Sequence, residues 1–280
     1  MEPKLWMAGE PRTPEPLCEL AGRALRYGDG VFVTLACREG ILLDAEAQIG
    51  RLTRACERVE LTVPETAASV SALLDVLRSI GARGDGDFVV RVQVSAGPSG
   101  RGYGRSGDDS WELIEVSEPP SARECRVAVA GPDLRLPVPA LPSVKSCSAL
   151  AHVLAAREAA RMGVHELIRT ADGRVTEAIS ANVFWTAGDI LRTPAASLPI
   201  YPGMTRALVL EVAGQVGLEV DEGEHDGASL AAADGVFLTN ATRGVEPVAE
   251  LDGESTRWPE PLARLAAAVD EARRTRGTRL

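Results

Sequence analysis

Apolar and polar residues alternate along VFVTLAC (31–37), DFVVRVQVSA (87–96) and WELIEV (111–116), the two-residue period of half-buried strands. ILL (41–43) follows an REG turn and reads as a short strand after the first of these. Between them the period lengthens. In AEAQIGRLTRACERVEL (45–61), Ile49, Leu52, Ala55 and Val59 fall on one helical face, and ETAASVSALLDVLRSIG (65–81) reads as a second helix with Gly81 suited to its C-cap. SEPPSARE (117–124) breaks the pattern as a linker. Beyond it come a strand at CRVAVA (125–130), a proline-broken stretch (131–144), and a helix over 148–163 closed by Gly163. Strands follow at HELIRT (165–170), NVFWT (182–186) and ILRT (190–193), with an ADG turn at 171–173. The region 202–217 reads as loop then helix, LEV (218–220) and GVFLTN (235–240) as strands, and 259–275 as a last helix. The pattern predicts an α+β fold of two domains, with residues 1–118 in a small first domain, 119–131 as linker and start of the next, and 132–280 in a larger second domain. The N-terminal segment that holds Lys4 reads as loose.

Composition narrows the function. Forty acidic against 30 basic residues leave a net charge of −10, which repels phosphate backbones and disfavours nucleic-acid binding. No apolar run approaches the roughly 20 residues that span a bilayer, and MEPKLWMAGEPRTPEP lacks a signal-peptide core, so a cytoplasmic protein is expected. The five cysteines (18, 37, 56, 125 and 147) are scattered without a C-x-x-C pair, and HELIR (165–169) has no second histidine, so no metal site is expected. Gly102, Gly104 and Gly107 spell G-x-G-x-x-G, but DDSWELIEV follows as turn and strand where a dinucleotide site needs a helix. Gly203-Met204-Thr205 does precede a helix. Its free amides suit a phosphate, and an ordinary glycine turn fits the same residues.

Of the 30 basic residues only Lys4 and Lys145 are lysines; the other 28 are arginines. Arginine solvates a surface as well as lysine does, but it cannot serve as an amine that loses its proton near neutral pH. An interior lysine in such a chain is a candidate for amine chemistry. On this ground alone, chance survival of Lys145 fits equally.

Several segments then converge. Lys145 is followed 32 residues later by Glu177 in VTEAISANVFW (175–185), with Asn182 in the same run and LRT at 191–193. Arg51 lies in QIGRLTRAC, GMTR stands at 203–206, and RYGDGVFVT (26–34) matches a Y/F-G-D-G-x-F element. Over roughly residues 20–250 the chain resembles the fold-type IV pyridoxal-phosphate enzymes: branched-chain aminotransferases, D-amino-acid aminotransferases and 4-amino-4-deoxychorismate lyases. Three features resemble the lyases most: GRGYG (100–104), ANVFW (181–185) and LTNATRGVEPV (238–248). Transaminases usually carry threonine where Ala241 stands, and its hydroxyl touches the cofactor phosphate; Ala241 has none, leaving Asn240 or Thr242 to compensate.

The resemblance implies pyridoxal 5′-phosphate held covalently by Lys145, with Glu177 beside the ring nitrogen. It implies phosphate contacts from Arg51, Met204 and Thr205 next to Gly203, and cofactor contacts from Asn182, Asn240 and Ala241. Arg101 and Tyr103 match its carboxylate-binding positions; Arg243 is a further candidate, since guanidinium recognises carboxylate bidentately. Thr34 matches a threonine with a proton-relay role in the lyases, although many members have Glu or Thr where Val33 stands. A homodimer and a dicarboxylate, chorismate-derived small-molecule substrate are implied. The implied reaction converts 4-amino-4-deoxychorismate to 4-aminobenzoate and pyruvate, with Lys145 as the base. The alternative is transamination of D- or branched-chain amino acids with a 2-oxo acid. A cofactor-binding but inactive paralogue is the third reading, and intact Lys145 and Glu177 argue against it.

Overall fold

The computed structural model describes residues 4–7, 10–12, 22–82, 86–97, 102–105, 107, 109–131, 141 and 143–280. The fold is α+β. Its contacts divide the chain into two units, Met1–Pro120 with Val144–Ala149 and Arg273–Leu280, and Ser121–Ser143 with Leu150–Ala272.

In the first unit the strands are β1 (Lys4–Met7), β2 (Glu10–Arg12), β3 (Gly30–Arg38), β4 (Ile41–Leu42), β5 (Phe88–Ala96) and β6 (Ser110–Ser117). The helices are α1 (Arg23–Tyr27), α2 (Ala45–Arg58) and α3 (Val70–Ser79). Among the described residues one antiparallel sheet runs in the order β4-β3-β5-β6-β1-β2, and the short strand Thr278–Arg279 pairs with β4 at its edge. Lys4 therefore lies in a strand, not in a loose end, because β1 pairs with β6 from Lys4↔Val116 to Met7↔Leu113.

The pleat of β3 and β5 separates two faces. Val31, Val33, Leu35, Val90, Val92 and Val94 are buried, along with Ile49, Leu52, Ala55 and Cys56 of α2 and Leu73 and Leu77 of α3. Phe32, Thr34, Arg91, Gln93 and Ser95 are half-buried on the opposite face.

Residues 144–149 were expected in the second domain, yet they group with this unit for a main-chain reason. The Phe32 amide donates to the Lys145 carbonyl (2.9 Å), Ser146 bridges Val31, and the Cys147 amide donates to the Gly30 carbonyl (2.8 Å). Gly28, at φ +67°, permits the approach: a Cβ there would collide with Ser148. Residues 273–280 join the unit through Thr278–Arg279 and through a buried Arg273–Asp44 ion pair of 2.8 Å.

The second unit contains β7 (Cys125–Val129), α4 (Leu150–Met162), β8 (Glu166–Ile168), β9 (Thr170–Ala171), β10 (Arg174–Val175), β11 (Asn182–Ala187) and β12 (Ile190–Pro194). They are followed by α5 (Met204–Val212), β13 (Glu219–Gly223), α6 (Gly227–Ala231), β14 (Gly235–Asn240), β15 (Gly244–Leu251), β16 (Glu254–Ser255) and α7 (Glu260–Thr275), the last residues of which, from Arg273, belong to the first unit. Among the described residues the main sheet runs β13-β12-β11-β14-β15-β7-β8, parallel at β12–β13, β15–β7 and β7–β8 and antiparallel elsewhere. Its two faces sort the side chains of β11. Val183 and Trp185 join Val236, Leu238, Val127 and Ile168 on one face. Phe184 stacks on Phe237 (5.0 Å, 1° between planes) on the other, against Leu208 and Val209 of α5 and Leu262 and Leu265 of α7. Strand β15 was not anticipated, because Pro247 argues against a strand interior. Pro247 faces Phe237 and sits just ahead of the ladder to β7, which begins at Val248.

Candidate active site

In the second unit a hairpin places the acid. Asp172 and Gly173 both have positive φ (49° and 75°), as a two-residue primed turn requires, and they join β9 to β10. The ladder continues past the strands: the Arg169 amide donates to the Glu177 carbonyl (2.8 Å), and the Thr176 amide to the Arg169 carbonyl (2.9 Å). Glu177 is 6% exposed. Its Oε1 accepts from Arg169 Nη2, while Oε2 accepts from the Tyr201 amide (2.7 Å) and from Asn182 Nδ2 (3.4 Å).

Asn182 ties this carboxylate to the loop that opens α5. It donates to the Tyr201 carbonyl (2.7 Å), and its Oδ1 accepts from the Gly203 amide (3.2 Å). A Cβ at Gly203 would collide with that Oδ1, so the close approach requires glycine. Gly203 is the N-cap of α5 and no side chain caps the helix, leaving the first-turn amides of Met204 and Thr205 for an anion. Thr205 is buried, and its hydroxyl donates to the Asn240 carbonyl (3.0 Å). That bond fixes the hydroxyl toward β14 and leaves only its lone pairs for a phosphate proton.

Asn240, Ala241 and Thr242 form the tight connection from β14 to β15. Asn240 Oδ1 accepts from the Thr242 amide and hydroxyl (3.1 Å each) and from the Arg243 amide (2.8 Å), so this oxygen organises the turn. Arg243 donates to the Ser121 carbonyl (2.9 Å) and pairs with Glu246 (3.4 Å). Glu246 is also held bidentately by Arg123, at 2.8 and 2.9 Å. These contacts give Arg243 a structural partner on each side.

In the first unit Lys145 is half-buried, its carbonyl held by Phe32 and its Nζ 5.4 Å from the Phe32 ring centroid. Arg91 covers the same ring at 3.8 Å. Thr34 faces Arg91 across the β3–β5 ladder. Arg51 is half-buried on α2, with its Nη1 withdrawn from solvent. Cys147, two residues beyond Lys145, has its thiol pushed up by burial.

Arg101 lies outside the described residues. The loop beside it is tightly held. Arg23 donates to the carbonyls of Gly102 (3.1 Å), Tyr103 (2.8 Å) and Gly104 (3.2 Å), and its Nε to Asp29 (2.7 Å). Arg105 meets Asp29 through both Nε (3.0 Å) and Nη2, and its Nη1 donates to the carbonyls of Val59 and Glu60, both at 2.7 Å. The hydrogen bond from Arg105, reinforced by Arg23, holds the Asp29 carboxyl below the usual carboxylate range. Tyr103 is 89% exposed and meets Tyr27 edge-on at 5.6 Å, beside an open hollow of about 670 Å³. The loop thus has a fixed backbone and a presented aromatic side chain.

Sequence reasoning singled out Glu177, Asn182 and Gly203, and the structure brings these three together. It missed Arg169 and the Arg23–Asp29–Arg105 cluster. A signal for Arg169 existed, since a two-residue turn at 172–173 sets 169 opposite 176. No comparable local signal links Asp29 to Arg105. Taken unit by unit, the residues fit pyridoxal phosphate on their chemistry: the second unit has a buried carboxylate suited to a ring nitrogen and uncapped helix amides suited to a phosphate, and the first has a half-buried lysine suited to an aldehyde.

Comparison with known proteins agrees. The family model described as amino-transferase class IV matches residues 30–251. The D-alanine aminotransferase of Bacillus licheniformis is 27% identical over 251 residues, 88% of each chain. The aminodeoxychorismate lyase of Bacillus subtilis is 30% identical over 234 residues, 81% of this chain and 78% of the relative. The branched-chain aminotransferase of Thermoproteus uzoniensis, solved with norvaline, superposes with a TM-score of 0.87 at 23% identity, covering 98% of this chain and 95% of that one. The chain belongs to the class IV aminotransferases.

Proposed function

We propose that this class IV, pyridoxal-phosphate-dependent enzyme is a lyase that converts 4-amino-4-deoxychorismate to 4-aminobenzoate and pyruvate. The observation that carries this reading is the glycine loop. GRGYG stands at 100–104, where Arg23 holds the carbonyls of Gly102, Tyr103 and Gly104, and the adjoining Arg105 anchors with it on Asp29. ANVFW at 181–185, Ala241 in place of threonine and the lyase relative from Bacillus subtilis support it.

The cofactor supplies an aldehyde that links to amines and a ring that accepts the electron pair released when a C–H bond breaks. With the cofactor bound, Lys145 Nζ would hold it through the aldehyde and, once free, would take the proton from the amine-bearing carbon of the substrate. Glu177 stabilises positive charge at the ring nitrogen. The Met204 and Thr205 amides and Arg51 bind the phosphate. Arg101 and Tyr103 orient the substrate carboxylates, and Thr34 relays the proton toward the departing pyruvate. Loss of that proton and cleavage of the ring carbon–oxygen bond release enolpyruvate, which takes up the proton to become pyruvate, and leave an aromatic ring, so no second substrate enters. A homodimer belongs to this reading: α4 leaves Leu150 (69% exposed), Val153 and Leu154 uncovered on one face, apolar surface that a second copy would bury.

The test is to incubate the purified, cofactor-loaded enzyme with 4-amino-4-deoxychorismate and no 2-oxo acid. Equimolar pyruvate and 4-aminobenzoate support the lyase. Amino transfer that requires a 2-oxo acid favours the second reading, a transaminase of D- or branched-chain amino acids, for which the D-alanine aminotransferase relative speaks.

A further inference from the structure

Arg169 is 8% exposed, and a buried guanidinium with few partners carries a desolvation cost that something must offset. One Nη reaches Glu177, while its Nε is buried without a hydrogen-bond partner. Arg105, by contrast, engages all three of its nitrogens, on Asp29 and two carbonyls. Arg169 is instead aimed by backbone register. Main-chain bonds to Glu177 and Thr176, with a third from the Thr176 hydroxyl (3.0 Å), lock its position opposite the acid. Glu177 in turn has its other oxygen occupied by Tyr201 and Asn182.

We propose that Arg169 is the resident counter-ion of Glu177, a positioning residue that keeps the carboxylate charged and aimed before the cofactor arrives and shares that charge with the ring nitrogen afterwards. The second half of this statement rests on the pyridoxal-phosphate reading; the first does not. Two cations on one carboxylate each weaken the other's hold. Loss of Arg169 therefore harms the cofactor-free protein more than the loaded one. By linkage, the same difference appears as tighter cofactor binding.

The experiment is a double-mutant cycle in the full-length, cofactor-free chain with Arg169→Met, Glu177→Gln and the pair, read by thermal melting, followed by cofactor dissociation constants for the parent and Arg169→Met. Arg169→Met alone is expected to lower the melting temperature, and the loss is expected to shrink when Glu177 is already Gln. The loaded protein is expected to lose less than the cofactor-free one, and the dissociation constant to fall by roughly fivefold or more, the scale of ordinary coupling. Arg169→Lys, which keeps the charge, is expected to stay near the parent in both measurements, and it replaces the Met variant in the cycle, compared with Arg169→Gln, should that variant not fold. Equal losses with and without Glu177 overturn the counter-ion. Equal losses in the loaded and cofactor-free forms, with an unchanged or weaker dissociation constant, overturn the sharing. A parent that binds no pyridoxal phosphate overturns the cofactor reading and leaves the cycle standing by itself.

Discussion

Two carboxylates of this protein face arginines, and they are built for different ends. Asp29 has a side chain 14% exposed and receives two guanidiniums. All three nitrogens of each are used, on Asp29 and on loop or helix-end carbonyls. Each nitrogen is engaged within the cluster, so the cluster fixes backbone. Glu177 is more deeply buried, receives one guanidinium through one nitrogen, and is joined through Asn182 to the start of a helix that no side chain caps. A saturated ion-pair cluster holds a loop. A buried pair whose guanidinium keeps one nitrogen unpartnered, next to uncapped helix amides, is the candidate site.

That contrast breaks or holds under substitution. The largest expected effect is at Glu177→Gln, which should lower turnover by roughly 10²–10³-fold with the fold retained, because a neutral amide supports a cationic ring nitrogen poorly; circular dichroism and steady-state kinetics check this. Asp29→Ala should act through structure. It leaves two guanidiniums facing each other and should cost about 3 kcal/mol of stability in denaturant melts, the low end for breaking a buried pair, and it should raise KM through the loosened loop. If Asp29→Ala lowers turnover at saturating substrate as far as Glu177→Gln does, with stability unchanged, the distinction fails. Gly203→Ala should cost about 1–3 kcal/mol and weaken cofactor binding, since its Cβ must displace Asn182 from Glu177 and the loop; equilibrium dialysis reads the second effect. The smallest effect is in acid. Asp29 titrates below its unfolded value, so its contribution is present above about pH 4 and is lost as pH falls through the lower folded value. The stability gap between parent and Asp29→Ala should therefore narrow on acidification below about pH 4 and stay constant from pH 5 to 8.

The sequence made one of these regions legible and hid the other. Alternation placed β3 and β5 within a residue or two, because each has one apolar face; β11, buried on both faces, was legible from its β-branched and aromatic run. Glu177 and Asn182 share one short segment, and Lys145 stands out in a chain nearly devoid of lysine. The grouping of residues 144–149 with β3 rests on main-chain bonds that leave no mark on composition. Asp29 and Arg105 are 76 residues apart, and an aspartate in a Y-G-D-G turn looks local until its partners are seen. Strand β15 was masked by a proline whose missing amide hydrogen falls just before a ladder begins.

The measurement that bears most directly on the whole account is to load the protein with pyridoxal phosphate, reduce it with borohydride and map the added mass by peptide sequencing. The account predicts one cofactor per chain, fixed to the peptide that contains Lys145 and absent when Lys145 is replaced by alanine. A cofactor fixed on Lys4, or no fixed cofactor in a folded and loaded protein, would contradict it.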